Sequence, residues 1–220
     1  MTDFDVLLSD LPGNVLEYGG SNDGKLYQDY PWTPLNALPA HRRNTTERLK
    51  FLLGAMQFDI TGKNVLDVGC SNGALSIGMA LRGARVVGYD WNRTEIRIAQ
   101  QAAKVMGVSN HTTFTYLNAY LLPLPSKVYD VGLFLSVWKW IVRNYDSPSA
   151  NSVLFNISNH CRVLLFESGI TDSGIDLGIG YTQSDFPSIL EDHTRYTNFE
   201  MVGLLPKDHQ NVNRQLWRCS

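Results

Sequence analysis

Val65-Leu66-Asp67-Val68-Gly69-Cys70-Ser71-Asn72-Gly73 is the stretch that decides the reading of this chain. From Lys63 a short apolar run leads into a glycine turn, and Ala74 to Leu81 then reads as a helix stopped by Gly83. Asp67 to Gly73 therefore forms an Asp-x-Gly-x-x-x-Gly loop between a strand and a helix. Glycines there let the backbone bend sharply and approach a ligand closely, and the helix start offers free amide N–H groups. Arg85-Val86-Val87-Gly88-Tyr89-Asp90 is a second strand, ending in an acid 17 residues after Gly73. An acid at that place can accept two hydrogen bonds from a ribose diol. Loop, spaced acid and strand–helix–strand context together point to a nucleoside-bearing ligand at the carboxyl ends of adjacent strands.

Working outward, the same alternation continues. Upstream, Asn44 followed by Glu47 has the form of a capping box, and Leu49, Leu52, Leu53 and Met56 fall on one helical face. Downstream, Asn92 with Glu95 is another capping-box-like start, and Ile96, Ala99, Ala103 and Met106 give a helical stripe before Gly107. Thr112 to Leu117 and Tyr129 to Ser136 read as strands, and Ser147-Pro148 opens a helix to about Asn159. Arg162 to Phe166 is a further strand, and Phe199 to Leu205 with Gln215 to Cys219 could close as a hairpin. Strands alternating with helices imply crossover connections, hence an α/β fold with a mainly parallel sheet covered on both faces.

Composition bounds the function. The chain has 220 residues and a hydrophobic share of 44%, enough for a real core and too much for wholesale disorder. A net charge of −2 argues against a protein that grips nucleic acid through bulk charge. Cys70, Cys161 and Cys219 are too few and too scattered for a disulfide framework or a zinc site, and no His spacing suggests a metal. Lys139 interrupts the longest apolar run, short of a membrane span. The acidic Met1-Thr2-Asp3-Phe4-Asp5 lacks the form of a signal peptide, so the Asn-x-Ser/Thr triplets at Asn44, Asn92, Asn110 and Asn156 read as chance, and the expectation is a cytoplasmic domain. Charge is uneven. Residues 1–40 hold one cation against six acids, −5, and the remainder 18 cations against 15 acids, +3. Rich in Gly, Pro and Tyr, residues 1–40 read as an extension, either a strap along the domain's edge or a lid over its site, with the domain proper at 41–220.

The run from Val65 to Gly73 resembles motif I of the class I S-adenosylmethionine-dependent methyltransferases, and Val86 to Asp90 resembles their second motif. The likeness covers roughly Thr46 to the C-terminus. It implies the Rossmann-like fold of that family, a seven-stranded, mainly parallel sheet with a C-terminal antiparallel hairpin, and S-adenosylmethionine as cofactor. By the same resemblance Asp67, Gly69, Cys70, Ser71 and Gly73 surround the methionine portion, Asp90 holds the ribose hydroxyls, and Trp91 lies beside the adenine. Asn118-Ala119 stands where the family presents a polar residue to the adenine amino group, and Ser136 passes near the methionine. A nicotinamide dehydrogenase is the competing class. Its Gly-x-Gly-x-x-Gly fingerprint is broken here, because Cys70 and Ser71 follow Gly69.

The acceptor is less legible. Leu135, Ser136, Lys139, Trp140 and Asn144 match a short segment of the RNA 5′-phosphate-methylating branch, while Trp138 and Val142 depart from it. Gly62 to Trp91 is similar to the wobble-uridine-modifying and ubiquinone-type methyltransferases. Tyr30, Trp32, Trp138 and Lys139 are the candidate acceptor contacts, whereas Trp140 and Ile141 read as helix core. The lead function is methyl transfer to an oxygen or nitrogen of a small-molecule acceptor. Methylation of RNA, at a terminal phosphate or a tRNA base, is the alternative; Arg42, Arg43, Arg48 and Lys50 lie close together in its favour. A cofactor-binding partner subunit without catalysis is a third reading.

Overall fold

A computed structural model describes residues 25–121, 128–168, 180–205 and 214–220. Seven strands form one sheet: β3 (Asn64–Val68), β4 (Arg85–Asp90), β5 (Thr112–Tyr116), β6 (Tyr129–Leu135), β7 (Cys161–Glu167), β8 (Phe199–Leu205) and β9 (Arg214–Cys219). Their spatial order is β5-β4-β3-β6-β7-β9-β8. The first five run parallel, with Val65 opposite both Val86 and Val131, and β9 pairs antiparallel with β7 and β8. This is the expected Rossmann-like sheet with its C-terminal hairpin. Order reverses between β3 and β6, and open α/β sheets bind ligands outside the strand ends at such a switch point.

Both faces of the sheet are covered, and the strands show it residue by residue. Val65, Leu133, Val163 and Leu165 join one buried cluster, while their alternates Leu66, Phe134, Leu164 and Phe166 join another. Alternation in a strand sends successive side chains to opposite faces, and here both are apolar. The first cluster is closed by α1 (Thr45–Met56), α2 (Ala74–Ala80) and α3 (Arg93–Val105), the second by α4 (Trp138–Asn144), α5 (Ser147–His160) and α6 (Phe186–His193). The sequence pattern did not single out α6.

Of residues 1–40, the structure describes 25 onward. β1 (Leu26–Gln28) pairs in parallel with β2 (Ala40–Arg42), so the pairing spans the 40/41 position where composition shifts. One expected cap is corrected. Asn44 makes no side-chain cap bond at the start of α1. Asp29 fills that role from the preceding segment: its Oδ1 accepts the Thr45 N–H at 3.1 Å, and its carbonyl accepts the Thr45 hydroxyl at 2.9 Å. At α3 the Asn92 side chain does cap, accepting from the N–H groups of Thr94 and Glu95. Glu95 does not reach back to complete a box; it turns inward to Ser71.

Candidate active site

The loop after β3 is built by two backbone N–H groups. Those of Gly69 and Cys70 both donate to the Tyr89 carbonyl, at 2.7 and 3.0 Å, which folds the loop over the end of β4. Gly69 sits at φ +84°, and a Cβ there would run into Val137, so both conformation and space require glycine. Ser71 holds φ 52°, an uncommon conformation for a residue with a side chain, and two bonds fix it. Its N–H donates to Asp90 Oδ2 at 2.8 Å, its hydroxyl donates to Glu95 Oε2 at 2.9 Å, and Asn92 N–H meets the other Asp90 oxygen at 2.8 Å. Asp90 thus ties the first loop to the second strand while its carboxylate lines the cavity.

Asp67, Gly69, Cys70, Ser71, Asp90, Trp91, Asn118, Ala119 and Ser136 all line one cavity of about 590 Å³ at the carboxyl ends of β3, β4, β5 and β6. Trp91 is 71% exposed, so its ring is free to cover a ligand. The Asn118 amide donates to the Tyr145 hydroxyl at 2.8 Å, and Tyr145 stacks on Tyr120, giving this end a second aromatic wall. Gly73 alone of the expected loop residues stands apart from the cavity. A Cβ there would lie 2.8 Å from that of Ala99 and 2.9 Å from the Phe114 ring, so Gly73 serves the close packing of α2 against α3 and β5.

Charge in the cavity is sorted by sign. One wall carries three buried carboxylates. Burial pushes Asp67 up to about 6, against the Ser76 hydroxyl that donates to it at 2.6 Å, and the Asp90 charge adds to the rise. Burial likewise raises Glu95 to about 7, with its bond from Ser71 opposing and Asp90 adding. Asp90 itself is raised by burial, held back by the N–H groups of Asn92, Ser71 and Trp91. Carboxylates so placed are suited to a ligand that brings positive charge and hydroxyl donors. The two phosphates of a dinucleotide would be repelled. Cys70 is no nucleophile, because burial pushes its thiol well above the ordinary range.

The other end of the cavity is basic, and sequence reasoning missed how. Tyr27 and Gln28 of β1, Arg42 of β2 and Arg48 of α1 line it. The Arg42 guanidinium lies over the Tyr27 ring, 4.4 Å from its centroid. Behind them, Ser136, at φ 63°, donates its hydroxyl to the fully buried Glu167 at 2.5 Å. Arg214 of β9 donates to the same hydroxyl at 3.1 Å and stands 3.7 Å from Glu167. The basic run at 42–50 therefore splits: Arg42 and Arg48 are buried in the cavity wall, while Arg43 and Lys50 face outward. A signal was available for Arg48. It falls on the inward stripe with Thr45, Leu49, Leu52 and Met56.

The expected acceptor contacts fare differently. Trp138 is fully buried, edge-on against Tyr181 and Phe186, with its N–H donating to Asn151 at 3.0 Å. It belongs to the core, and Trp140, read as core, is instead 46% exposed and lines the cavity. The reason is helical phase: Trp138 and Ile141 are three apart and share the inward face, whereas Trp140 is turned roughly 200° from Trp138. Ile141 is buried and reaches the cavity as well. Lys139 is buried outside the cavity wall, its ammonium 5.6 Å from the Trp140 ring. Tyr30 is buried beneath the first loop and donates its hydroxyl to the Asn72 carbonyl, and Trp32 packs over Gly78 of α2. Neither lines the cavity: Tyr30 holds the first loop, and Trp32 packs on α2. Among the described residues no cluster of three His, Cys, Asp or Glu could hold a metal ion, and no helix is long and apolar enough to cross a membrane.

A family profile described as "Methyltransferase domain" matches residues 60–215. Ubiquinone biosynthesis O-methyltransferase of Chromobacterium violaceum is 43% identical over 70 residues, 32% of this chain and 29% of that protein. The curated relatives it matches are spanned over less than a third of their own length. Among solved structures, the bifunctional kinase-methyltransferase WbdD superposes with a TM-score of 0.71 at 21% identity, over 98% of this chain and 45% of that one. Magnesium protoporphyrin IX methyltransferase from Synechocystis PCC 6803, with bound S-adenosylmethionine, gives 0.63 at 18% identity, covering 100% of this chain and 97% of that one. At such identities the likeness speaks to the fold.

Proposed function

The chain belongs to the methyltransferase domain family, matched from residue 60 to 215, and on that premise we propose that it transfers the methyl group of S-adenosylmethionine to an oxygen or nitrogen of a small-molecule acceptor. The observation that carries this reading is the sorting of charge in one cavity, three carboxylates at one end and buried arginines at the other. The donor is a nucleoside with a ribose diol, an ammonium, a sulfonium and one carboxylate. Asp90, whose carboxylate lines the cavity at the end of β4, suits the ribose hydroxyls, and Asp67, which lines the same cavity at β3, suits the ammonium. Trp91 offers a face to the adenine, and Asn118 an amide at its edge. The residues present therefore fit the donor.

When bound, the donor supplies a methyl group on a positively charged sulfur, open to in-line attack. This chain's residues orient and shield. The close approach of Gly69 and Val137 brings the loops after β3 and β6 together, and Val137, Trp140 and Ile141 give the cavity an apolar wall. Positioning of that kind lowers the barrier by several kcal/mol without a dedicated base. A small acceptor is favoured over RNA because Arg42 and Arg48 are turned inward, where a polynucleotide backbone cannot follow them. The local likeness to ubiquinone biosynthesis O-methyltransferases supports the same choice. Residues 25–42 would form part of the cover over the acceptor end.

The test is a labelling experiment. Protein incubated with methyl-labelled S-adenosylmethionine and a cell extract, split into metabolite and RNA fractions, should place label in the metabolites. Label in RNA, with an affinity that falls steeply as salt rises, would select the RNA reading instead, since phosphate contacts release counterions. Donor binding without label in either fraction would leave a non-catalytic partner subunit.

A further inference from the structure

Ser136 stands at φ 63° where β6 gives way to α4, a conformation that a residue with a side chain rarely adopts. Such strain persists only where neighbours over-determine it. Three bonds do so here, all from residues outside the cavity wall. The Ser136 N–H donates to the Glu167 carbonyl at 2.7 Å, its hydroxyl donates to the Glu167 carboxylate at 2.5 Å, and Arg214 donates to the same hydroxyl at 3.1 Å. A hydroxyl bonded to a carboxylate in a buried place makes a charge-assisted bond, one of the stronger kinds. Glu167 ends β7 and Arg214 opens β9; both are buried and neither lines the cavity, whereas Ser136 does.

The strained residue sets the direction of the chain beyond it. Val137, next in sequence, lines the cavity and lies so close to Gly69 that a Cβ there would run into it. Trp140 and Ile141 of α4 follow in the same wall. The loop of Gly69, Cys70 and Ser71 and the wall of α4 therefore meet at one packed contact, and the turn at Ser136 fixes that contact. We propose that Glu167 and Arg214 are positioning residues for methyl transfer: by holding Ser136 in the left-handed conformation they set the junction of β6 and α4 against the donor loop. The inference rests on the methyl-transfer reading above. In-line transfer needs donor and acceptor at one distance and angle, and a misplacement of about 1 Å can cost about a hundredfold in rate.

The test is calorimetric titration of the full chain with S-adenosylhomocysteine. Variants are compared at a temperature where melting scans show each one folded, so that a loss of stability by itself leaves the affinity unchanged. Ser136→Ala removes the hydroxyl and keeps the strain, and should bind about tenfold more weakly than the parent. Ser136→Gly also lacks the hydroxyl but takes a positive φ freely, and should recover much of that loss. Glu167→Gln should weaken binding about fivefold in the parent and have little further effect in the Ser136→Gly background, because its influence passes through residue 136. Arg214→Lys, which keeps a cation beside Glu167 and shortens its reach to Ser136, takes its place if Glu167→Gln does not fold. Ser136→Gly as weak as Ser136→Ala would overturn the proposal, since the hydroxyl would then touch the ligand itself. So would parent-like affinity in Ser136→Ala, or an equal loss from the second-site variant in both backgrounds. A parent protein that does not bind S-adenosylhomocysteine at all would sink the methyl-transfer reading, and this proposal with it.

Discussion

Asp90 and Tyr30 act on the same loop from opposite sides. Asp90 accepts the N–H groups of Ser71 and Asn92 while facing the cavity. Asp90→Ala should weaken S-adenosylhomocysteine binding by about 1–3 kcal/mol, as for a lost charge-assisted hydrogen bond; calorimetric titration reads it directly. Unchanged affinity would mean that the second strand's acid is not at the ribose. Tyr30, by contrast, is buried and donates to the Asn72 carbonyl, while the Asn72 amide donates to the Gln28 carbonyl at 2.7 Å. Tyr30→Phe leaves a buried carbonyl short of one donor, so about 1–2 kcal/mol of stability should be lost in urea unfolding. The place of Asp90 in the cavity was legible because an acid ending a strand beside a glycine loop falls at the carboxyl end of the sheet. Tyr30 and Trp32 were not, since an aromatic in an extension can reach up over a site or down into the core, and only packing decides.

At the scale of elements, the strands were legible because each is a short apolar run that alternates between two covered faces. The helix α4 was half legible: its aromatics were visible, but which of them faces inward depended on the helical phase, and Trp138 and Trp140, two residues apart, lie on nearly opposite faces. Arg48 was readable in principle, since it lies on the inward stripe of α1. The cap of α1 was not, because Asp29 stands 16 residues before Thr45 and meets it only once β1 has paired with β2. Asp29→Ala should cost about 1 kcal/mol of stability. Asn44→Ala should not incur that loss of capping, and a reversed order in denaturant unfolding would show that Asn44 is the true cap.

For the whole molecule, the three carboxylates on one wall set a pH dependence. Burial pushes Asp67 up to about 6 and Glu95 up to about 7 in the folded protein, above their ordinary values of 3.8 and 4.5. Between pH 4 and 7 the folded chain therefore holds protons the unfolded chain has lost, and stability contributed by these groups falls as pH rises. A ligand bringing an ammonium and hydroxyl donors binds the ionised form. Its affinity should rise with pH through the same window, with protons released on binding. Melting scans at about pH 5.5 and 7.5 should show a larger S-adenosylhomocysteine-induced rise in Tm at the higher pH. A larger rise at the lower pH would place the ligand away from this wall.

The sorted charge of the cavity suits a cationic adenosyl donor and not a dinucleotide. The most direct measurement is a pair of calorimetric titrations on the full chain, one with S-adenosylhomocysteine and one with NAD. The expected result is one-to-one binding of S-adenosylhomocysteine, weakened in Asp90→Ala, and no heat from NAD. Binding of NAD in preference would contradict the account, because the carboxylates of Asp67, Asp90 and Glu95 would then have to tolerate a diphosphate.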